Sequence, residues 1–218
     1  MNIELHGLDT EKEVFFYEQD FYVLSNFSAF TLYWKSKYEG LSHLYRTSEE
    51  AYHWEKFNHL AGRGVQELLQ DARSAHEAFT LSQKHKALRR PDWDDVKMDI
   101  MRDILRAKAE QHEYVRRKLL ATGDRTLIEN SWRDDFWGWG PNRNGQNMLG
   151  KLWMQVRSEL RGIGSADFSA RQRSIAAGRA AMQAALPRLR EHAAEHSALH
   201  LDIRFTSSTN SLRSLNAG

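Results

Sequence analysis

With 218 residues, the chain is long enough for one well-cored domain and an appendage. Its formal charge of +2 sets 31 Lys and Arg against 29 Asp and Glu, so no global nucleic-acid signature is present, although a local basic groove is compatible with it. Cysteine is absent, which excludes disulfides and Cys-based zinc sites and suits a reducing cytosol. No charged-then-apolar leader and no membrane-length apolar run are found, so a cytoplasmic protein without a membrane partner is expected.

Residues 13–34 are rich in aromatic and β-branched side chains, broken by Ser25-Asn26, and predict two or three short strands. Tyr38 to Tyr45 reads as a Gly-containing turn into the first helix. That helix starts with a capping box, Thr47 as N-cap and Glu50 reaching back to it, and is expected to run to Leu60 before Ala61-Gly62 stops it. Val65, Leu68, Leu69 and Ala72 carry a second helix, and residues 74–86 a third. After Arg89-Arg90-Pro91, Asp92 is an expected N-cap for a long helix with Val96, Ile100 and Ile104 on one face. Tyr114 to Leu120 is helical, ended by Thr122-Gly123, and Leu127-Ile128 suggests a short strand. A Trp/Gly/Asn-rich loop spans residues 131–147. Leu149, Leu152, Trp153, Val156 and Leu160 then form an amphipathic helix followed by Gly162. The expected fold class is α+β, predominantly helical, with helices packed around a small N-terminal antiparallel sheet. The expected domain covers residues 1–164. An Ala/Arg/His-rich helix, kinked at Pro187, and a strand at Leu199–Phe205 make an extension over 165–205, and a disordered tail follows over 206–218.

Four constellations bear on chemistry. At about 100° per residue, Glu49, Tyr52, His53, Lys56 and Leu60 share one side of the first helix. Facing inward, the stripe puts ionisable groups at the edge of a core; facing outward, it is a solvated polar face. Glu49 and Lys56 are two turns apart, too far for a tight ion pair, yet both can reach one cavity. In the second, Asp134-Asp135-Phe136-Trp137-Gly138-Trp139-Gly140, carboxylates and indoles sit beside glycines that let backbone approach a ligand. The alternative is an irregular loop with buried tryptophans. It leads into a helix beginning near Asn147, whose free N–H groups suit phosphate. Ser25-Asn26-Phe27, the third, reads by itself as a turn. His192, His196 and His200 have metal-compatible helical spacing, but a solvated face is favoured, so no metal is expected.

These segments, in order, resemble the NADAR family, whose bacterial representatives include the YbiA-like N-glycosidases. LSNFSAF (24–30), YRTSEEAYHWEKF (45–57), the run over 88–112, LLATGDRTLIEN (119–130), DDFWGWG (134–140) and GQNMLGKLWMQVRSEL (145–160) carry the resemblance over residues 15–161. It implies hydrolysis at ribose C1 of an N-glycosidic bond, without a cofactor. Two substrate classes are associated with the family: phosphorylated ribosylamino-pyrimidine intermediates of riboflavin synthesis, and ADP-ribose on guanine in DNA. The implied partners are thus a small nucleotide-like substrate or ADP-ribosylated DNA. By resemblance Glu49 matches the essential glutamate, Lys56 the helix lysine, Trp93 a pocket tryptophan and Asp134 the aspartate before the Trp-Gly pair. Ser25, Asn26 and Phe27 match the turn at the pocket, and Trp137, Gly138 and Asn147 the ligand loop and helix start. Glu50 stands where relatives commonly have His, and Ala51 where they have an aromatic residue, with Tyr52 following.

An oxocarbenium-like transition state needs negative charge near C1, an acid for the leaving nitrogen and a placed water. The catalytic set expected is Glu49 nearest C1, Asp134 for ribose hydroxyls or water, and Lys56 either tuning Glu49 or forming an imine with the opened sugar. Trp93 and Trp137 would wall the base, with Tyr52 beside them, and Arg46 with the helix start at Asn147 would hold phosphate. A module that binds ADP-ribose or NAD without turnover is the alternative. In the repair branch of the enzyme reading, Arg171, Arg173, Arg179, Arg188 and Arg190 could contact DNA phosphate, but a solvated helix face or a subunit contact is favoured, because Glu191 and Glu195 dilute the charge.

Overall fold

The computed structural model describes residues 7–17, 21–37, 42–164, 166–185 and 187. Its elements are β1 (Glu13–Phe16), β2 (Leu32–Lys35), β3 (Ser42–Tyr45), α1 (Ser48–Lys56), α2 (Arg63–Asp71), α3 (Ala75–Lys84), α4 (Trp93–Gln111), α5 (Glu113–Ala121), β4 (Thr126–Glu129) and α6 (Met148–Gly162). The fold is α+β and mostly helical, as expected. The expected antiparallel sheet is the β2–β3 pair, with Leu32 opposite Tyr45. A second pair was not expected: β1 and β4 run parallel, placing Val14 beside Leu127 and Phe16 beside Glu129. Parallel strands require a long crossover, so nothing local in either segment signals the pairing. Instead of a turn, the segment before α1 ends in strand β3.

Burial explains the assembly. The apolar faces of α4 (Ile100, Ile104) and α6 (Leu149, Leu152, Trp153, Val156) meet Val14, Phe16, Leu24, Leu32 and Leu127 in one core. The Trp153 indole N–H donates to the Leu24 carbonyl at 2.8 Å, so the largest buried side chain leaves no polar orphan. Lys108 on α4 is fully buried. Its Nζ donates to the Ser25 carbonyl at 2.8 Å and the Ser28 hydroxyl at 2.6 Å, tying the Ser-Asn-Phe turn to α4. Burial brings its pKa down to about 7. A smaller cluster of Phe57, Val65, Leu69, Ala72 and Ala78 packs α2 and α3.

Three local expectations need correction. α1 ends at Lys56, and Leu60 lies beyond it in a short turn, 81% exposed, so the leucine is not part of the stripe. The Thr47 hydroxyl does accept the Glu50 N–H at 3.1 Å, but Glu50 reaches one residue further back, to the Arg46 N–H at 2.7 Å. Ser74, Glu77 and Arg73 repeat this arrangement at α3. Asp92 is the N-cap residue of α4, as expected, but its side chain makes no capping bond, because its carboxylate is gripped by Arg90 at 2.6 and 2.8 Å.

α6 lies close on β4. An alanine Cβ at Gly150 would stand 2.1 Å from the Leu127 carbonyl oxygen and 2.6 Å from Asn147 Oδ1. Gly150→Ala is therefore expected to cost about 3 kcal/mol, since backbone has to move, a loss measurable in urea unfolding.

The chain divides into a unit of residues 1–173 and one of residues 174–218. Residues 166–173 of the first and 174–185 of the second are helical. The strand expected at Leu199–Phe205, the histidine series from His192 to His200 and the tail from residue 206 lie outside the described residues. Among the described residues, no helix is long and apolar enough to cross a membrane.

Candidate functional site

Every residue of α1 is buried, so the stripe of Glu49, Tyr52, His53 and Lys56 faces protein and not solvent. Glu49 is fixed at both ends. Its N–H donates to the Asn26 carbonyl at 3.1 Å, so the Ser-Asn-Phe turn caps α1 at this residue. Its Oε1 lies 2.8 Å from His53 Nε2. The carboxylate thus takes His53 as its partner, and Lys56 donates instead to the Ser82 hydroxyl of α3 at 3.2 Å.

Tyr52 stands at the centre of an aromatic box. Its ring is 4.8 Å from Trp93 at the start of α4 and 5.5 Å, edge to face, from Trp137 in the loop. Burial raises the Tyr52 hydroxyl well above its ordinary pKa; the charges of Glu49 and Asp134 add to this, and the Trp137 and Trp93 indoles oppose it. The Lys56 ammonium lies 5.7 Å from the Trp93 ring centre and 5.9 Å from that of Tyr52. Burial draws the Lys56 pKa down to about 8; Glu49 pulls it up, and Arg89, Lys86 and Lys97 push it further down. Glu49, Tyr52, Lys56, Trp93, Asp134 and Trp137 are therefore brought together.

The loop is built by side-chain capping. Asp134 Oδ1 accepts the N–H groups of Phe136 at 2.9 Å and Trp137 at 2.7 Å, which fixes Trp137 against Tyr52. Gly138 serves loop closure and not ligand approach. A Cβ there would be 2.8 Å from Ser131 Cβ and 3.1 Å from the Glu129 carbonyl oxygen. Asn147 departs furthest from its expected role. In the left-handed conformation (φ 50°), it donates from Nδ2 to the Leu127 carbonyl and accepts the Glu129 N–H at Oδ1, at 2.8 and 2.9 Å. The first two N–H groups of α6, on Met148 and Leu149, donate to the carbonyls of Phe136 and Trp137 at 3.0 Å. The expected phosphate site at this helix start is therefore filled by loop backbone. Arg46, half exposed, is held by Glu50 and the Gln70 carbonyl. Ser25 and Asn26 are buried beneath the site, and Phe27 is 39% exposed.

Among the described residues, three buried polar atoms on residues that contact or act electrostatically on Glu49 have no hydrogen-bond partner: Asn26 Oδ1, His53 Nδ1 and Glu129 Oε2. Such atoms are rare in folded proteins, and a catalytic role or a bound water or ion is among the reasons for them. Two of these residues had no assigned role. His53 is visible in the stripe, whereas Glu129 lies in the LLATGDRTLIEN segment that carries the resemblance, with no role given to it there. Its carboxyl pKa is raised to about 8 by burial, then by the charges of Asp134 and Glu49. A separate open groove of about 450 Å³ is lined by Arg106, Ser158, Glu159, Ile163 and Arg171, none of them in this cluster.

Fold and site define a small α+β protein with a buried carboxylate–imidazole pair and a buried lysine packed against the rings of Tyr52 and Trp93. The NADAR domain signature matches residues 15–161. The chain is 36% identical over 152 residues to an N-glycosidase of Nostoc punctiforme, covering 69% of this chain and 94% of that protein. To the N-glycosidase YbiA of Escherichia coli it is 34% identical over 141 residues, covering 65% and 82%. A riboflavin biosynthesis protein of Vibrio vulnificus is 35% identical over 150 residues, a match spanning 69% of this chain but only 39% of that protein. The NMR structure of Escherichia coli YbiA superposes with a TM-score of 0.60 at 31% identity, covering 73% of this chain and 90% of that one. The chain belongs to the NADAR family.

Proposed function

We propose that this protein hydrolyses the bond between ribose C1 and nitrogen in a phosphate-bearing ribosyl substrate, with Glu49, Lys56 and Asp134 as its catalytic groups. A hydrolase of N-glycosyl bonds is the class given by the family and by relatives named N-glycosidases. The observation that carries the finer reading is Glu49 itself: a buried carboxylate held by His53 and capped through Asn26, on the same helix as Tyr52 and Lys56, which pack against Trp93. Charge fixed in a dry recess is worth far more to a developing cation than charge in water. Glu49 stands nearest C1. Asp134 orients ribose hydroxyls or the attacking water, with one oxygen already committed to the loop. Tyr52, Trp93 and Trp137 wall the base. The field of Arg89, Lys86 and Lys97 around Lys56, together with the exposed part of Arg46, draws the phosphate end.

Two substrate classes are candidates: ribosylamino-pyrimidine phosphates and ADP-ribose on guanine in DNA. Both are tested by incubating the protein with each and following release by mass spectrometry. Cleavage of one assigns the class. Cleavage of neither moves the protein to the binding-module alternative. That alternative needs no acid and base, and the presence of Glu49, Lys56 and Asp134 in one cluster argues for turnover.

Lys56 supports two mechanisms, and its pKa of about 8 serves both, since an accessible fraction of free amine exists near neutrality. As a charge it steadies Glu49; as an amine it attacks the ring-opened sugar at C1. Borohydride added during turnover is expected to trap a sugar adduct on Lys56 if the imine forms. An unmodified Lys56 under full turnover leaves the electrostatic role alone.

A further inference from the structure

Glu49 and Asp134 supply negative charge, and neither gives the departing nitrogen the proton it requires. We propose that Glu129 is the general acid, its Oε2 carrying the proton that passes to the leaving nitrogen; this rests on the N-glycosidase reading above. The geometry begins with the backbone. In β4, Glu129 is paired beside Phe16 of β1. Its N–H is held by Asn147 Oδ1 and its carbonyl by the Trp139 N–H, both at 2.9 Å. With the main chain gripped on both sides, the carboxyl is carried on a rigid strand and not on a mobile loop. Oε2 is shut off from solvent and meets no donor or acceptor. A buried carboxyl oxygen without a partner is costly as an anion and tolerable as an acid.

The charged groups acting on Glu129 are Asp134 from the loop and Glu49 from α1, and both are anions. Burial first, and then these two groups, raise its pKa to about 8, so Glu129 holds its proton at neutral pH. A carboxyl kept protonated in this way can serve as an acid. In the step itself the C1–N bond breaks with its electron pair moving to nitrogen. Nitrogen takes the proton from Glu129 Oε2, leaving a carboxylate. Water adds to C1 and returns one proton to Glu129. One water is consumed, and the enzyme regains its starting state.

Leaving-group dependence separates an acid from a structural glutamate. Two substrates are compared in wild type and Glu129→Gln: the nitrogen-linked ribosyl phosphate, and a ribose 5-phosphate carrying 4-nitrophenolate at C1, which departs without protonation. The variant is expected to lose about 100-fold in kcat on the first and about threefold or less on the second. An equal loss on both overturns the acid role and leaves the glycosidase reading standing. Wild-type protein inactive on both substrates overturns the two together. Because Lys56 also titrates near 8, the pH profile is assigned by a carboxyl-specific signal. With ¹³C-labelled glutamate, one side-chain carboxyl should titrate near pH 8 in wild type and be absent from Glu129→Gln. If every glutamate carboxyl titrates in the ordinary acidic range, the proposal fails whatever the activities.

Discussion

Glu49→Gln is expected to lower kcat/KM by about 10³-fold while the protein stays folded. The substitution is nearly isosteric. A glutamine carbonyl can still accept a hydrogen bond from His53 Nε2, whose contact with Glu49 spans 2.8 Å. The N–H of residue 49 still donates to the Asn26 carbonyl, so α1 keeps its cap. The negative charge disappears from a recess in which solvent cannot replace it, because residue 49 is only 7% exposed. Because the transition state is cationic at C1, the loss should fall on kcat, with KM little changed. The check is steady-state kinetics beside a urea unfolding curve. Near-normal turnover in a folded variant would remove Glu49 from the chemistry. A collapse in stability would instead mean that the Glu49–His53 pair serves the fold.

Much of this site was legible because its residues lie on one helix. Periodicity placed Glu49, Tyr52, His53 and Lys56 together, and the capping box fixed where α1 begins. Whether that stripe faced inward was a question for tertiary packing, which answered it by burying all nine residues of α1. The loop was legible as composition only. Its conformation depends on Asp134 accepting from Phe136 and Trp137, a local rule, and on glycine close approach to Glu129 and Ser131, which is not local. The start of α6 misled for the same reason. A helix N-terminus offers N–H groups to phosphate only if the preceding loop does not fold back onto them, and here the Phe136 and Trp137 carbonyls do. Glu129 lies inside the LLATGDRTLIEN segment that carries the resemblance, but its place after Leu127-Ile128 gives it no chemical role on its own. Its surroundings come from the pairing of β4 with β1, more than a hundred positions earlier, and from the Asn147 amide on its N–H; the residue is half-buried, with Oε2 closed off.

Asp134 gives the second large effect, because one side chain serves both the loop and the charge. Asp134→Ala is expected to lower kcat/KM by about 10³-fold, combining lost charge with a misplaced wall. Without Oδ1 the N–H groups of Phe136 and Trp137 lose their acceptor, and Trp137 is no longer held 5.5 Å from Tyr52. Asp134→Asn separates the two contributions. An asparagine carbonyl can accept the same two N–H groups, so the Tyr52–Trp137 contact and its near-ultraviolet circular dichroism signal should persist. Only the charge is removed, and a loss of about tenfold is expected from it. The same variant should move the Glu129 titration. A nearby anion holds the proton on, so neutralising Asp134, whose effect on Glu129 is larger than that of Glu49, lowers that pKa from about 8. The alkaline limb of kcat then shifts to lower pH, because the acid loses its proton sooner. If Asp134→Asn falls as far as Asp134→Ala with the aromatic signal intact, the charge carries the whole effect and the loop contributes nothing to rate. If both variants lose the signal together, Asp134 acts through Trp137, and its assignment as a group touching ribose has to be withdrawn.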